Sequence, residues 1–287
     1  MSRLLVPAGL VLAIATVCAA AADDDAAMVP TPLPRVTVTA RYEPEGYQAD
    51  RSWTATKTDT PLLDVPQSVS VITGDLIRDQ SMQSLADVAR YVPGAGMAQG
   101  EGNRDTIILR GNASTADFYL DGVRDDIEYF RDLYNVDRVE VLKGPNAMIF
   151  GRAGGGGVVN RVTRQAQWDT QREVSLQGGS WDNRRATFDF GDGLTDTVAA
   201  RVTGMYEDSD SYRDGVELER VGVNPTAAIH IGEDTQLRLS YEYYDYDRTA
   251  DRGIPSLDGR PFPTDESTFF GDPEQSPTNA TVNLFTV

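Results

Sequence analysis

The 287-residue chain carries 44 acidic against 26 basic residues, a formal charge of −18, with a single cysteine. That balance argues against nucleic-acid binding, because a phosphate backbone calls for Lys and Arg. It does not exclude a membrane protein that keeps its charge in a lumen and in loops.

Residues 1–22 read as a secretory signal: Arg3 near the start, an apolar run from Leu10 to Val17, then Ala20, Ala21 and Ala22 before Asp23. The run is short of the ~20 apolar residues of a spanning helix. Cys18 falls inside this leader, so the exported chain is expected to lack a disulfide, a zinc–thiolate site and a cysteine nucleophile. Residues 23–63 read as a flexible N-terminus, rich in Ala, Pro and Asp up to Pro34. Within it stands a β-prone island: Val36, Thr37, Val38, Thr39 and Ala40.

Residues 64–167 read as a compact α+β unit. Val69 to Ile72 is a candidate strand, and Ser84 with Asp87 forms a capping box for a helix through Arg90, ended by Pro93-Gly94. Thr106 to Leu109 is a strand closed by Arg110-Gly111, and Asp121-Gly122 is a two-residue hairpin turn between Phe118-Tyr-Leu120 and Val123. The stretch from Arg138 to Arg164 then reads as strand, stop at Gly144-Pro145, short apolar segment, the glycine run from Gly154 to Gly157, and strand again.

From residue 168 the period becomes two. Val198, Ala200, Val202, Gly204 and Tyr206 alternate with Ala199, Arg201, Thr203, Met205 and Glu207; Leu237, Leu239, Tyr241 and Tyr243 alternate with Gln236, Arg238, Ser240 and Glu242. A third run alternates Val221, Val223, Ala227 and Ile229 with Gly222, Asn224, Thr226, Ala228 and His230. Runs of ~10 residues suit tilted strands across an outer membrane. Gly191 to Asp196 and Gly232 to Asp234 are expected as short turns, Asp208 to Leu218 and Asp247 to Asn279 as long surface loops. A soluble sandwich gives the same alternation; the loop asymmetry and the aromatics from Tyr241 to Tyr246 favour a barrel.

Enzyme chemistry finds little support. His230, the only histidine, is phased onto the polar face near a turn and reads as structural. The glycine run has neither a following Gly-Lys-Ser/Thr nor G-x-G-x-x-G spacing. The acids Asp208, Asp210 and Asp214 lack the spacing of a calcium loop and read as a solvated loop.

The plug-like marks occur in a telling order: Asp64-Val65-Pro66-Gln67-Ser68-Val69, then Arg110-Gly111, then Tyr119-Leu120-Asp121-Gly122, then Val139 to Pro145 and the glycine run before Val158-Val159-Asn160. In these residues the chain resembles the TonB-dependent outer-membrane receptors, especially the ferric-siderophore group. Its signature positions are Arg110, Gly111, Asp121, Gly122, Lys143, Gly144, Pro145, Gly151, Gly156, Gly157 and Asn160. The resemblance implies an α+β plug domain over 64–167, followed over 168–287 by the first strands of an antiparallel transmembrane β-barrel. About six strands are present, fewer than the about 22 of a plugged transporter, so the barrel is expected to be incomplete in this chain. It further implies a TonB box at Val36, Thr37, Val38, Thr39 and Ala40, with too few residues before Arg35 for a signalling domain.

The implied function is active transport, not enzymatic: a monomer in the outer membrane of a Gram-negative bacterium, in contact with lipopolysaccharide, binds iron(III)-siderophore at the cell surface. TonB and its inner-membrane energising complex drive import to the periplasm. No cofactor or metal site of its own is implied, since the siderophore supplies the iron's ligands. By position against the plug marks, the siderophore contacts are expected at Gln99, Glu101, Arg104, Tyr129, Phe130 and Arg131. The same machinery with cobalamin, haem, a glycan or a nickel chelate is the alternative, and a secreted β-rich enzyme or adhesin is a more distant one.

Overall fold

The computed structural model describes residues 46–98, 100–144, 147–151, 155–232 and 234–287. The expected signal (1–22), the island at Val36 to Ala40, Gln99, Pro145 and Gly154 lie outside the described residues. In chain order come strands β1 (Arg51–Ser52), β2 (Thr60–Pro61) and β3 (Ser68–Thr73), then helices α1 (Gly74–Asp79) and α2 (Leu85–Ala89). Strands β4 (Ala95–Ala98), β5 (Thr106–Leu109), β6 (Asn112–Ser114), β7 (Phe118–Leu120), β8 (Val123–Arg124) and β9 (Val136–Lys143) follow. After the short helix α3 (Ala147–Phe150) and strand β10 (Gly157–Thr163) come the long strands β11 (Gln171–Gly178), β12 (Arg184–Thr195), β13 (Val198–Asp210), β14 (Glu217–Ile231) and β15 (Thr235–Thr249). A small hairpin, β16 (Ser256–Leu257) and β17 (Arg260–Pro261), precedes β18 (Pro277–Thr286).

The first part is a five-stranded sheet in the order β3-β9-β10-β7-β8, beside a three-stranded sheet β4-β5-β6. Strands β9 and β10 are buried along almost their whole length, with Val136, Val139, Val141 and Val159 meeting Ile77, Leu85, Val88 and Phe118 in one core. Helix α2 starts as its capping box dictates: Ser84 Oγ accepts from Asp87 N and the Asp87 carboxylate accepts from Ser84 N. Helix α1 has a quieter start, the Thr73 Oγ1 accepting from Leu76 N at 3.2 Å. A Cβ on Gly74 would lie 2.6 Å from the Asp137 carbonyl oxygen, so only glycine lets this helix begin against the chain entering β9.

Both short hairpins of this part use turns with φ > 0 at two successive residues, Arg110 (50°) with Gly111 (81°) and Asp121 (49°) with Gly122 (83°). In the glycine run, a Cβ on Gly156 would stand 2.3 Å from Leu109 O and one on Gly157 2.3 Å from Leu142 O. Gly156 and Gly157 are therefore a seam where three strands pack backbone to backbone.

The second part is a six-stranded antiparallel sheet, β11-β12-β13-β14-β15-β18, with β11 and β18 as its outer strands among the described residues. Its phase follows the alternation. Ala199, Thr203, Met205 and Glu207 on β13 and Arg220, Asn224, Thr226 and Ala228 on β14 are buried, while Tyr206, Phe188 and Phe190 face outward and are exposed. No helix among the described residues is long and apolar enough to cross a membrane.

Three expectations change. Strands β13 to β15 run to Asp210, from Glu217 and to Thr249, so the expected loop from Asp208 to Leu218 shrinks to 211–216. The strands outlast the ~10 residues of a membrane crossing because their charged ends continue the ladder, with Glu207↔Arg220 and Asp208↔Glu219 in register. At the opposite end β12 continues through Gly191 to Thr195, leaving only 196–197 as the turn. Finally, β15 ends at Thr249 and β18 begins at Pro277, so the expected loop from Asp247 to Asn279 shortens to 250–276 and carries the β16–β17 hairpin; on β15 itself Tyr244 and Tyr246, each 2% exposed, face inward.

Candidate functional site

Where the five-stranded domain meets the six-stranded wall, two of its loops, 100–105 and 125–135, lie against inward-facing wall residues. The loop at 125–131 is organised around Arg131, which is 1% exposed. Its Nε donates to Asp125 Oδ2 at 2.8 Å, and its other nitrogens donate to the carbonyls of Tyr129, Asp125 and Ile127. Its guanidinium also lies 4.2 Å over the Phe118 ring and 4.3 Å over that of Tyr129. Arg161 reaches the same Asp125 oxygen at 2.8 Å and the Tyr129 hydroxyl at 2.9 Å. Burial works to raise the Asp125 carboxyl, but Arg161 and Arg131 hold it below the usual range. Burial pushes the Tyr129 phenol up to about 12. Burial also raises the Asp105 carboxyl, against the pull of Arg131.

Next along the chain, Asp132 ties this domain to the wall. Its carboxylate receives Arg185 of β12 and Arg220 of β14, each at 2.8 Å, and both guanidinium groups also reach Glu207 of β13 at 2.6 Å. Burial opposes ionisation of Asp132, yet Arg220 and Arg185 hold its carboxyl below the ordinary value. Beside it Tyr134 and Asn135 donate to Glu242 of β15 at 3.2 and 3.0 Å, and Tyr134 stacks on Tyr244. A Cβ on Gly222 would meet the Tyr134 ring at 2.8 Å, so the wall is thinned to admit that ring. A further tie lies at the domain's exit, where Arg164 and Arg201 share Asp189. His230 stacks on Trp168 with ring centroids 4.3 Å apart, a structural contact.

The chain preceding β3 is strapped to the sheet. Ser52 Oγ donates to Glu140, Asn160 Nδ2 donates to Thr54 Oγ1 at 2.9 Å, and Lys57 Nζ lies 4.3 Å over the Phe150 ring. Asn160 Oδ1 meanwhile accepts from Gly122 N, and Asp121 Oδ1 accepts from Thr163 N at 3.0 Å. The Asp-Gly turn and the Asn-Arg-Val-Thr strand thus form one polar joint that holds the entering chain.

Residues 61–158 match the model of the TonB-dependent Receptor Plug Domain family. The chain is 34% identical over 253 residues to the probable TonB-dependent siderophore receptor PiuA of Acinetobacter baumannii, covering 83% of this chain and 34% of that protein. It is 35% identical over 207 residues to the catecholate siderophore receptor Fiu of Escherichia coli, covering 70% of this chain and 27% of that one. The crystal structure of the siderophore receptor PiuA from A. baumannii superposes with a TM-score of 0.79 at 30% identity, over 85% of this chain and 36% of that chain. The chain belongs to the TonB-dependent receptors. It spans about a third of the length of the curated relatives it matches.

In this receptor the five-stranded domain is the plug, and the six-stranded sheet is barrel wall. Of the expected siderophore contacts, Gln99 lies outside the described residues. Glu101 is exposed and pairs with Arg252 of the loop after β15 at 3.0 Å, and Arg104 lies 3.5 Å from Glu128 and bonds Asn103. Phe130 is edge-on to Tyr246, with Arg248 over its ring. Of these, Glu101 meets the loop following β15, Phe130 meets β15 itself, and Arg104 lies beside plug residues Glu128 and Asn103. Tyr129 and Arg131 do not fit a contact role: both are buried, and Arg131 spends its donors on Asp125 and three carbonyls. A guanidinium ringed by main-chain oxygens pins its loop and has no donor left for a chelate. The plug–wall residues Asp132, Arg185, Glu207 and Arg220 escaped the sequence reading. The available signal was charge on the inward phase of the strands, where an unpaired ionised group would be costly to bury.

Proposed function

We propose that this receptor binds a ferric siderophore at the cell surface and passes it to the periplasm with energy delivered through TonB. One observation carries the reading: a plug loop meets the wall's long loop through Glu101 and Arg252 and another sets Phe130 against β15, while the entering chain is strapped to the plug by Ser52, Thr54 and Lys57. A ligand on one side and a pull on the other would then act on the same small domain. The relatives' names, a siderophore receptor and a catecholate siderophore receptor, support the cargo class. TonB would capture Val36 to Ala40 by strand addition at a sheet edge, and tension would reach the plug through the Ser52–Glu140 and Thr54–Asn160 contacts.

The test is uptake of radiolabelled cargo, with iron as the label in the ferric chelates and haem and cobalt in cobalamin, by cells lacking their own receptors for these compounds and expressing the full-length receptor. Ferric catecholates, ferric hydroxamates, haem and cobalamin are supplied in turn, with and without TonB. Uptake of at least one ferric chelate, lost without TonB, is the expected result. Uptake confined to haem or cobalamin, or unaffected by loss of TonB, would overturn the proposal.

A further inference from the structure

Trp181 stands in a backbone conformation that its own side chain disfavours. It is the first central residue of the turn joining β11 to β12, with φ of 56° there and 50° at Asp182. Asn183 N donates to Ser180 O at 3.4 Å, and Gly179 N donates to Asn183 O at 3.0 Å, which closes the hairpin. A turn with two successive left-handed residues favours Asn-Gly, and a bulky aromatic in the first of them is strained. Burial does not explain the choice, because Trp181 is 58% exposed. Strain kept at an exposed side chain points to a task for that side chain.

The tryptophan meets the loop between β13 and β14. Its ring is edge-on to that of Tyr212, also exposed, with centroids 6.2 Å apart, and its carbonyl accepts from Asp210 N at 2.8 Å. The two aromatics border a cavity of about 300 Å³ that Asp210, Asp214 and Glu217 also line. Among the described residues the Asp210 and Glu217 carboxylates have no hydrogen-bond or ion-pair partner. The loop itself is held in place. Arg213 pairs with Asp251 at 2.6 Å and donates to the carbonyls of Glu266 and Thr268, and a Cβ on Gly215 would stand 2.7 Å from the Pro273 ring.

This end of the wall carries the loops at 211–216 and 250–276, whereas β12 and β13 join at the other end through 196–197 alone, so the cavity lies at the outer end. Below it, Asp208, Glu219 and Asp247 are register partners across β13, β14 and β15 and form an exposed row of carboxylates above outward-facing Tyr206. Such a row does not belong in hydrocarbon. Asp210 is two residues further out, about 7 Å along the strand. Trp181 and Tyr212 therefore stand beyond the acyl chains, at the level of the sugars of the outer leaflet.

We propose that Trp181 and Tyr212 form a binding site for a neutral pyranose ring of the lipopolysaccharide oligosaccharide around the receptor. The C–H face of a pyranose meets the negative face of an aromatic ring, and its hydroxyls donate to the free carboxylates. The same carboxylates repel acidic sugars and phosphate. A small preformed cavity with an aromatic wall and a few polar groups suits one such ring. The inference needs the outer-membrane placement and is independent of the cargo.

Lipid-free core oligosaccharide, released by mild acid from the lipopolysaccharide of the receptor's own bacterium, is titrated by calorimetry into purified full-length receptor. Maltoheptaose serves as a second neutral glycan. Wild type is expected to bind the core oligosaccharide, and Trp181→Asn and Tyr212→Ser each to weaken it by about tenfold, as for a lost aromatic face. Asn suits the left-handed turn, so Trp181→Asn should keep heat-modifiable gel migration and a thermal midpoint at or above that of wild type. Equal affinity in wild type and Trp181→Asn, or no binding of either glycan by wild type, overturns the site. Binding confined to maltoheptaose overturns its assignment to lipopolysaccharide, and a lower midpoint in Trp181→Asn contradicts the strain on which the inference rests.

Discussion

Arg131 shows how far a side chain's surroundings, and not its type, decide its task. Next to Tyr129 and Phe130 it has the composition of a ligand contact, yet Asp125, Asp105 and main-chain carbonyls surround it. Replacing Arg131 with Ala should leave the buried Asp105 carboxylate without its ion-pair partner and Asp125 with Arg161 alone, at a cost of about 3–5 kcal/mol. The expected outcome is a lower urea midpoint for plug unfolding and new protease cleavage near 125–131 in full-length receptor; an unchanged midpoint would contradict the pinning role. Asp132 allows a test with pH. Its carboxyl is held below the ordinary value by Arg220 and Arg185 after burial has worked the other way. A depressed carboxylate gives its full stabilisation above the unfolded value of about 4 and loses it as pH falls through the lower folded value. Hydrogen exchange in 132–136, corrected for intrinsic rates, should therefore stay flat from pH 7 to about 5 and rise only below about 4. Loss of protection between pH 7 and 5 would show that another group controls this tie.

At the scale of elements, β14 contains a proline that strand rules would place at an edge, yet β14 is central, between β13 and β15. The explanation is local. Pro225 stands opposite Tyr241 and offers no N–H, and the neighbouring Asn224 donates its Nδ2 to Tyr241 O at 2.9 Å and to Ser240 Oγ at 2.9 Å. Asn224→Leu should leave that carbonyl without its donor and destabilise the assembled barrel by about 1–3 kcal/mol. Pro225→Thr should recover part of the loss in the double variant; additive losses would mean that the side chain does not substitute for the ladder bond. The outward phase can be tested at Val202 and Leu239, where arginine should cost about 2–4 kcal/mol near the bilayer midplane, read as loss of heat-modifiable barrel. Thr203 is not a neutral control for that experiment, because it is 1% exposed on the inner face.

For the whole molecule, what was legible in the sequence was whatever is written locally. The capping box at Ser84 and Asp87, the paired φ > 0 turns at Arg110-Gly111 and Asp121-Gly122, and the period-two phase of β13 to β15 all depend on near neighbours. Helix α1 was missed because its six residues show no period, and its start depends on Gly74 meeting Asp137, far along the chain. The ties made by Asp132, Arg185, Glu207 and Arg220 were illegible for a related reason: which inward charge meets which is set only when the plug docks on the wall. The central claim, a surface binder whose import is driven by a pull on its N-terminal segment, separates binding from transport. Its most direct test is Val38→Pro in the full-length receptor, which removes a backbone donor from the segment expected to join TonB's sheet. Surface binding and cellular uptake of radioactive ferric siderophore are measured side by side at matched receptor abundance. The account predicts binding equal to wild type, with uptake reduced to that of cells lacking TonB. Uptake at the wild-type rate would contradict it.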